Sequence, residues 1–174
     1  MTASEHKSLA SIGFLTVVDV QEVGLLGGFL AVDPVGRPLE FHCTTPVNPT
    51  RAQEILYGKS LQPFLCGELI GQALLDKCKS KPTFVLTDQP SMLATREFTK
   101  VPLVCIRDPQ DEATDDMSRR VSNEPFRLGD YSARHAKDYE TDRAQIDSHW
   151  QSVDALDMTE PFDRIREAIQ ETQS

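Results

Sequence analysis

Three acidic residues, Asp19, Glu68 and Asp88, have carboxylate side chains whose positions in the sequence suit a catalytic role. We expect Asp19 within the first strand, Glu68 on a long helix, and Asp88 at the end of a later strand. Carboxylates from two neighbouring strands and an adjacent helix can converge on one point. Three such groups suit Mg²⁺ or Mn²⁺, which prefer oxygen ligands, and two bound ions could clamp a phosphodiester. The three residues are therefore candidate ligands of a catalytic metal site that acts on a phosphodiester.

Each of these carboxylates also has a structural explanation. Asp88 precedes a predicted helix that has Pro90 in its first turn, so its side chain could cap that helix. Glu68 borders an apolar stripe and could face solvent, and Asp19 could be an exposed strand residue. These explanations stand as alternatives to metal binding.

A second group of polar residues lies where the third predicted strand leaves the sheet. The candidate binding residues are His42, Thr44, Thr45, Arg51 and Glu54. Histidine can act as a base or a metal ligand near neutral pH. Arg51, near a helix N-terminus, could receive a carboxylate or phosphate. This segment therefore predicts a domain that binds a small anionic molecule.

The cysteines give weaker predictions. Cys43 could be a nucleophile if His42 lowered its pKa, but neighbours in a strand point to opposite faces, so the two side chains should not touch. The spacing of His42, Cys43 and a distant cysteine gives a zinc site no particular support. No Cys-x-x-Cys pair occurs. In a cytosolic chain we expect reduced and mostly buried thiols at all four positions, which are Cys43, Cys66, Cys78 and Cys105.

The elements that must position these residues belong to an α/β domain over residues 10–107. Runs rich in β-branched and aromatic residues predict strands at 12–23, 29–33, 37–44, 83–87 and 101–106. The glycines at 24, 27 and 28 separate the first two. Helices are predicted at 51–57, where Thr50 and Gln53 form a capping box, and at 62–79 and 90–98. The order β-β-β-α-α-β-α-β predicts a mixed sheet of about five strands, three antiparallel and then a parallel β-α-β unit, covered by helices.

The remainder of the chain has a different character. Residues 108–174 hold eight basic and seventeen acidic residues, which accounts for the whole net charge of −9. Residues 108–158 have few aliphatic side chains, and we expect an acidic, weakly ordered segment there. A terminal helix is predicted over 159–172, capped by Thr159, with Phe162, Ile165 and Ile169 on one face. We expect this helix to dock on the domain or on a partner.

Targeting signals and membrane segments are not visible in the sequence. The polar start has no apolar core before a cleavage site, so a secretory signal is not expected. No run approaches the roughly 18 apolar residues that a membrane span needs. These features predict a cytoplasmic protein.

The chain resembles the ribonuclease H-like fold, and within it endonuclease V. Three segments resemble that family: Val18-Asp19-Val20, the stretch from Pro63 to Glu68 that leads into a helix, and the stretch from Pro82 to Asp88 that ends a strand. The resemblance covers about residues 14–106. It implies metal-dependent cleavage of nucleic acid with Asp19, Glu68 and Asp88 as ligands. The family also has an acidic residue on a downstream helix, for which Asp163 is the candidate here.

These observations leave three functional predictions. The first is a cytoplasmic, non-catalytic binding or assembly protein whose tail and terminal helix reach a protein partner. The neutral charge of residues 1–107 motivates it, and nucleic acid is then not the expected partner. The second is the nuclease, which would use Mg²⁺ or Mn²⁺. The third is the anion-binding domain that uses His42 and Arg51.

Overall fold

The computed structural model describes residues 11–107, 124–153 and 156–173, and its centre is a mixed sheet of seven strands in the order β3-β2-β1-β4-β5-β7-β6. The first three strands pair antiparallel, β1, β4 and β5 are parallel, and β7 and β6 close the far side antiparallel. The mixed α/β sheet is thus confirmed, and the strand number is corrected from about five to seven. The strands are β1 (Ile12–Val20), β2 (Gly24–Val32), β3 (Pro38–Cys43), β4 (Val85–Thr87), β5 (Leu103–Arg107), β6 (Phe126–Leu128) and β7 (Tyr131–His135).

Five helices and one short 3₁₀ turn, Gly58–Ser60, accompany the sheet in the described part of the chain. The first begins at the predicted capping box, in which Thr50 and Gln53 exchange side-chain and backbone hydrogen bonds. None of the helices found there is long and apolar enough to cross a bilayer. They are α1 (Arg51–Tyr57), α2 in three consecutive parts (Leu61–Pro63, a π-helical Phe64–Gln72, and Ala73–Lys77), α3 (Pro90–Phe98, of 3₁₀ geometry), α4 (Thr141–Trp150) and α5 (Glu160–Gln173).

The helices cover both faces of the sheet, as the alternation of apolar side chains along β1 requires. Leu15 points to the face covered by α2 and α3, which we call the α2 face. Phe14 points to the face covered by α4 and α5, which we call the α5 face, and its ring packs edge-on against Phe162 at 5.3 Å. Both layers are fully buried at their centres, so the sheet is sandwiched between helices.

Two consecutive glycines of β2 let helices approach both faces closely. A Cβ at Gly27 would overlap Ile70 of α2, and a Cβ at Gly28 would overlap Ile165 of α5. The prediction that Gly27 and Gly28 separate two strands is therefore wrong. They lie inside one long strand because each face has a helix side chain directly above it.

The predicted end of the domain at residue 107 is also corrected. Phe126, Leu128 and Ala133 of β6 and β7 are buried in the same apolar layer as β1 and β4, and Ile146 and Trp150 of α4 join them. On both short strands the side chains alternate between the core and the outside, so this burial is reached although residues 108–174 are acidic as a whole. Of the segment predicted to be weakly ordered, residues 108–123 and 154–155 lie outside the described residues.

The predicted terminal helix is present as α5, and it belongs to the domain. Phe162, Ile165 and Ile169 are buried against β1 and β2. The capping residue differs from the prediction: the carboxylate of Asp157, rather than the side chain of Thr159, accepts the backbone N–H groups of residues 159 and 160. A carboxylate at this position also favours the helix dipole.

Candidate functional site

The sheet topology points to one place for a ligand. From β1 the chain continues to β2 and β3 on one side, whereas β4 continues to β5 on the other side. Ligands in open α/β sheets bind beyond the carboxyl ends of strands at such a switch point. In this chain Thr16 and Asp88 lie at that point, one residue past the paired Leu15 and Thr87.

Asp88 is already engaged by protein groups at this switch point. The Thr16 hydroxyl donates to Oδ1 of Asp88 at 2.7 Å, and the guanidinium of Arg166 on α5 donates to Oδ2. The same guanidinium reaches Asp163 on its own helix at 3.2 Å. Arg166 therefore bridges two carboxylates, one from the end of β4 and one from α5.

The other two predicted ligands are placed differently. Asp19 is exposed three residues beyond Thr16, about 10 Å farther along the strand. By alternation with Leu15 its side chain belongs to the α2 face, whereas Asp88 binds residues of the α5 face. Glu68 is exposed on α2. Asp19 and Asp88 thus do not point to one place.

A divalent ion requires a donor set that these residues do not provide as arranged. Within residues 11–107, 124–153 and 156–173, no group of three or more His, Cys, Asp or Glu side chains could hold a metal. The structural alternative for Asp88 is corrected too, since the residue before α3 is Gln89 and no side chain caps that helix. The role of Asp88 is instead the contact with Thr16 and Arg166.

Three arginines lie near the carboxyl ends of β4 and β5. Arg107 at the end of β5 hydrogen-bonds to the buried Cys105 thiol, and Arg134 of β7 lies opposite Cys105 in the strand register. Burial raises the pKa of Cys105 to about 12, with Arg107, Asp88 and Arg134 all near enough to act on the thiol electrostatically. Arg107 and Arg134 share the α2 face with Cys105, whereas Arg166 lies with Asp88 on the α5 face. We refer to Arg107, Arg134 and Arg166 as the arginine group.

The arginine group was missed at the sequence level. Its members are separated by up to 59 positions and come from β5, β7 and α5. The only available signal was Arg107 at the end of a predicted strand, next to the strand that ends at Asp88. Without β7, whose existence the acidic composition concealed, the grouping could not be inferred.

The second predicted group contains a tightly bonded carboxylate. Oε2 of Glu40 lies 2.5 Å from Nε2 of His42, and Oε1 accepts the Ser80 hydroxyl at 2.6 Å and its N–H at 2.9 Å. The Lys79 N–H also donates to Glu40. The Ser80 hydroxyl, then His42 and the backbone donors, hold the pKa of Glu40 well below its usual value of 4.5. Glu40 thus fastens strand β3 to the segment after α2.

The remaining members of that group have separate contacts. Thr44 accepts the Gly27 N–H at 3.0 Å and so extends the pairing of β2 and β3. Thr45 is exposed. Arg51 and Glu54 pair with each other at 3.6 Å on the outside of α1. His42 and Arg51 therefore have different partners, and an anion site that joins them stays a prediction.

The bonding of Glu40 gives a pH-dependent prediction. Since its folded pKa lies below the unfolded value, the stabilisation is complete above about pH 5 and is lost as pH falls through the folded pKa. We expect Glu40→Gln to lower the free energy of unfolding at pH 7 by about 1–3 kcal/mol. We also expect the gap between wild type and variant to shrink from about pH 5 to pH 3. Urea unfolding at several pH values measures both effects, with the exposed Glu54→Gln as the control. An equal difference in the free energy of unfolding between wild type and Glu40→Gln at pH 7 and at pH 3 would contradict the lowered pKa of Glu40.

Comparison with known proteins gives a resemblance of fold. No model of a protein family matches the chain, and no curated protein matches it. Among solved structures, a Ciona intestinalis endonuclease V variant bound to DNA containing inosine is 12% identical, with a TM-score of 0.34 over 59% of this chain and 47% of that chain. A second Ciona intestinalis endonuclease V–DNA complex has 11% identity and a TM-score of 0.34, covering 60% of this chain and 48% of that chain. Human endonuclease V is 14% identical, with a TM-score of 0.34 over 60% of this chain and 48% of that chain.

These structures belong to the family that the motifs resemble, and the chain spans about half their length. At this TM-score they say nothing about activity. Two of them are complexes with DNA, and that finding overturns the expectation that nucleic acid is not a partner. The expectation that the terminal helix reaches a protein partner is wrong as well, because Phe162, Ile165 and Ile169 are buried in the domain.

Proposed function

We propose that the chain is a nucleic-acid-binding domain of ribonuclease H-like architecture that holds the phosphate backbone at its switch point without cleaving it. The observation that carries the proposal is the arginine group, which three separate elements bring to the carboxyl ends of β4 and β5, with Arg107 and Arg134 on the α2 face and Arg166 on the α5 face. Guanidinium groups bind phosphate through paired N–H donors. A place in the cytoplasm, where thiols stay reduced, is part of the proposal and agrees with the free thiols of the described chain.

The charge distribution limits the mode of binding. A net charge of −9 repels a polyanion at long range, so binding must rest on a local contact with few phosphates. Few contacts mean modest affinity and a shallow dependence on salt, of about 0.7 per phosphate for a single strand. We therefore expect a short single-stranded segment as the ligand.

The positions of the carboxylates are the reason why the proposal includes binding but not hydrolysis. Cleavage by bound divalent ions needs carboxylates that are free to ligate and that converge. Here Asp88 is neutralised by Arg166, and Asp19 belongs to the opposite face. These placements support binding over the nuclease alternative.

Binding to labelled oligonucleotides tests the proposal. We expect fluorescence anisotropy to report binding of single-stranded DNA or RNA in low salt, unchanged by EDTA. Arg107→Gln and Arg134→Gln should each weaken the affinity by about tenfold, since a charge-assisted hydrogen bond is worth about 1.5 kcal/mol. Each should also lower the salt slope by about one unit.

Arg37→Gln is the matched control, because it removes the same charge at the opposite end of the sheet, where the exposed Arg37 pairs with Asp33. Its affinity should equal that of the wild type. Equal losses in all three variants would indicate non-specific attraction, and no binding at low salt would overturn the proposal. Cleavage of the oligonucleotide with Mn²⁺, and not with EDTA, would establish the nuclease instead.

A further inference from the structure

We propose that the chain forms a symmetric dimer in which β3 pairs antiparallel with β3 of a second copy, so that the two sheets become continuous. β3 is the last strand on its side of the sheet, and within the described ranges β2 is the only strand that pairs with it. An edge strand presents a row of backbone N–H and C=O groups that another strand can bind. The other edge strand, β6, is a poorer candidate, because it has three residues with the exposed Arg127 at its centre.

The pairing of β3 with β2 determines which of its backbone groups point outwards. The Thr44 N–H donates to the Gly27 carbonyl oxygen at 3.0 Å, which fixes the alternation of the ladder from this point. Glu40 and His42 therefore direct their backbone groups towards β2. The residues whose N–H and C=O groups point away from β2 are Leu39, Phe41 and Cys43.

The outward edge of β3 also carries apolar side chains on the α5 face. Phe41 lies opposite Leu30 in the strand register and so points to that face, which Leu39 shares two residues away. Phe41 is 37% exposed and Leu39 50% exposed. An edge strand with exposed apolar side chains and without a lysine is a template for pairing. A second β3 would cover both side chains.

Charge and symmetry select one register for the pair. With Phe41 on the twofold axis, Leu39 faces Cys43 of the second copy and Glu40 faces His42 of the second copy. Apolar side chains then meet on one face, and a carboxylate meets an imidazole on the other. The nearest alternatives that keep the faces matched place Glu40 or His42 on the axis, so that like groups face each other. The net charge does not oppose this contact, because residues 1–107 are neutral.

Dimerisation through β3 goes beyond the proposed function and does not depend on it. β3 ends the sheet on one side, whereas Arg107 and Arg134 lie on β5 and β7 towards the other side. Pairing through β3 thus does not involve the arginine group. Loss of the dimer with retained oligonucleotide binding would reject only the dimer, and the reverse result would reject only the proposed function.

Sedimentation equilibrium of the full chain under reducing conditions, from micromolar to millimolar concentrations, tests the dimer. We expect the wild type to approach twice the mass of one chain at high concentration. Phe41→Lys should keep the mass of one chain throughout, because it places two ammonium groups on the axis. Val35→Lys is the matched control, since Val35 is an exposed apolar residue in the turn before β3, and it should dimerise like the wild type. A wild type that stays at the mass of one chain, or a Phe41→Lys variant that dimerises equally, overturns the proposal.

A cross-link tests the register. In Leu39→Cys the new thiol faces Cys43 of the second copy, with about 5.5 Å between the Cα atoms, a distance that a disulfide spans. Within one chain the two positions lie about 13 Å apart along the strand, which is too far. Mild oxidation should therefore give a band of two chains on a non-reducing gel, absent in the wild type and in Leu39→Cys combined with Cys43→Ser. No such band in Leu39→Cys, or a band that survives Cys43→Ser, contradicts the proposed pairing.

Discussion

Replacing Asp142 by alanine should lower the free energy of unfolding by about 3–5 kcal/mol, the cost of breaking a buried ion pair from one side. The carboxylate is fully buried in the first turn of α4. Its Oδ2 accepts from Nε of Arg96 at 2.7 Å and its Oδ1 from Nη2 at 3.2 Å. The Leu103 N–H donates to the same carboxylate at 3.3 Å. Asp142 therefore joins α4 to α3 and to the start of β5.

The loss is large because the Arg96 guanidinium is too deeply buried for water to solvate it once the Asp142 carboxylate is removed. Its side chain is 14% exposed and lies over the Tyr139 ring at 4.3 Å, with one further hydrogen bond to the Thr99 carbonyl oxygen. After Asp142→Ala the guanidinium keeps that position without its counterion. Asp142→Asn retains an acceptor for Leu103 and should fall between the wild type and the alanine variant.

Chemical denaturation with Asp147→Ala as the control measures this effect. Asp147 is an exposed aspartate of the same helix, so its removal should change stability by no more than about 0.5 kcal/mol. If Asp142→Ala is as mild as the control, residues 124–153 do not pack on the first part of the chain as described. The prediction thus tests the placement of α4 as well as the ion pair.

The elements of the first hundred residues could be predicted because their patterns are local. The capping box at Thr50, the apolar runs of β1 and β4, and the stripe of α2 each identify an element without knowledge of the rest. The pattern of β6 and β7 could not be recognised, because four buried residues on two short strands can be identified as core positions only when β5 is known to lie beside them. Composition averaged over a long acidic segment hides such short alternations.

The candidate site could be predicted only in part, for a similar reason. Asp88 at the end of β4 follows from the strand pattern. That its partner is a positively charged side chain of α5, 78 positions away, does not. Gly27 and Gly28 were informative but were misinterpreted, because glycine pairs more often mark turns than close helix contacts. Which meaning applies depends on helices that lie far away in the sequence.

Gly28→Ala should destabilise the protein by about 1–3 kcal/mol, although alanine is the better residue for an ordinary strand. The new Cβ would overlap Cγ2 of Ile165 and would lie 3.0 Å from Cδ1 of Ile169. Both side chains belong to α5 and are fully buried between it and the sheet, so neither can move without shifting the helix. If α5 did not pack here, the same substitution would be neutral or stabilising, because it reduces the freedom of the unfolded chain.

The sign of the change therefore decides whether the terminal helix belongs to the domain, and thermal or urea unfolding measures it. Replacing Ile165 by leucine removes the β-branched methyl that meets the new Cβ. We expect Gly28→Ala combined with Ile165→Leu to be more stable than the sum of the two single changes predicts. Strict additivity would mean that the two residues are not in contact. Because Arg166 is carried by the same helix, that result would also remove the basis for its contact with Asp88.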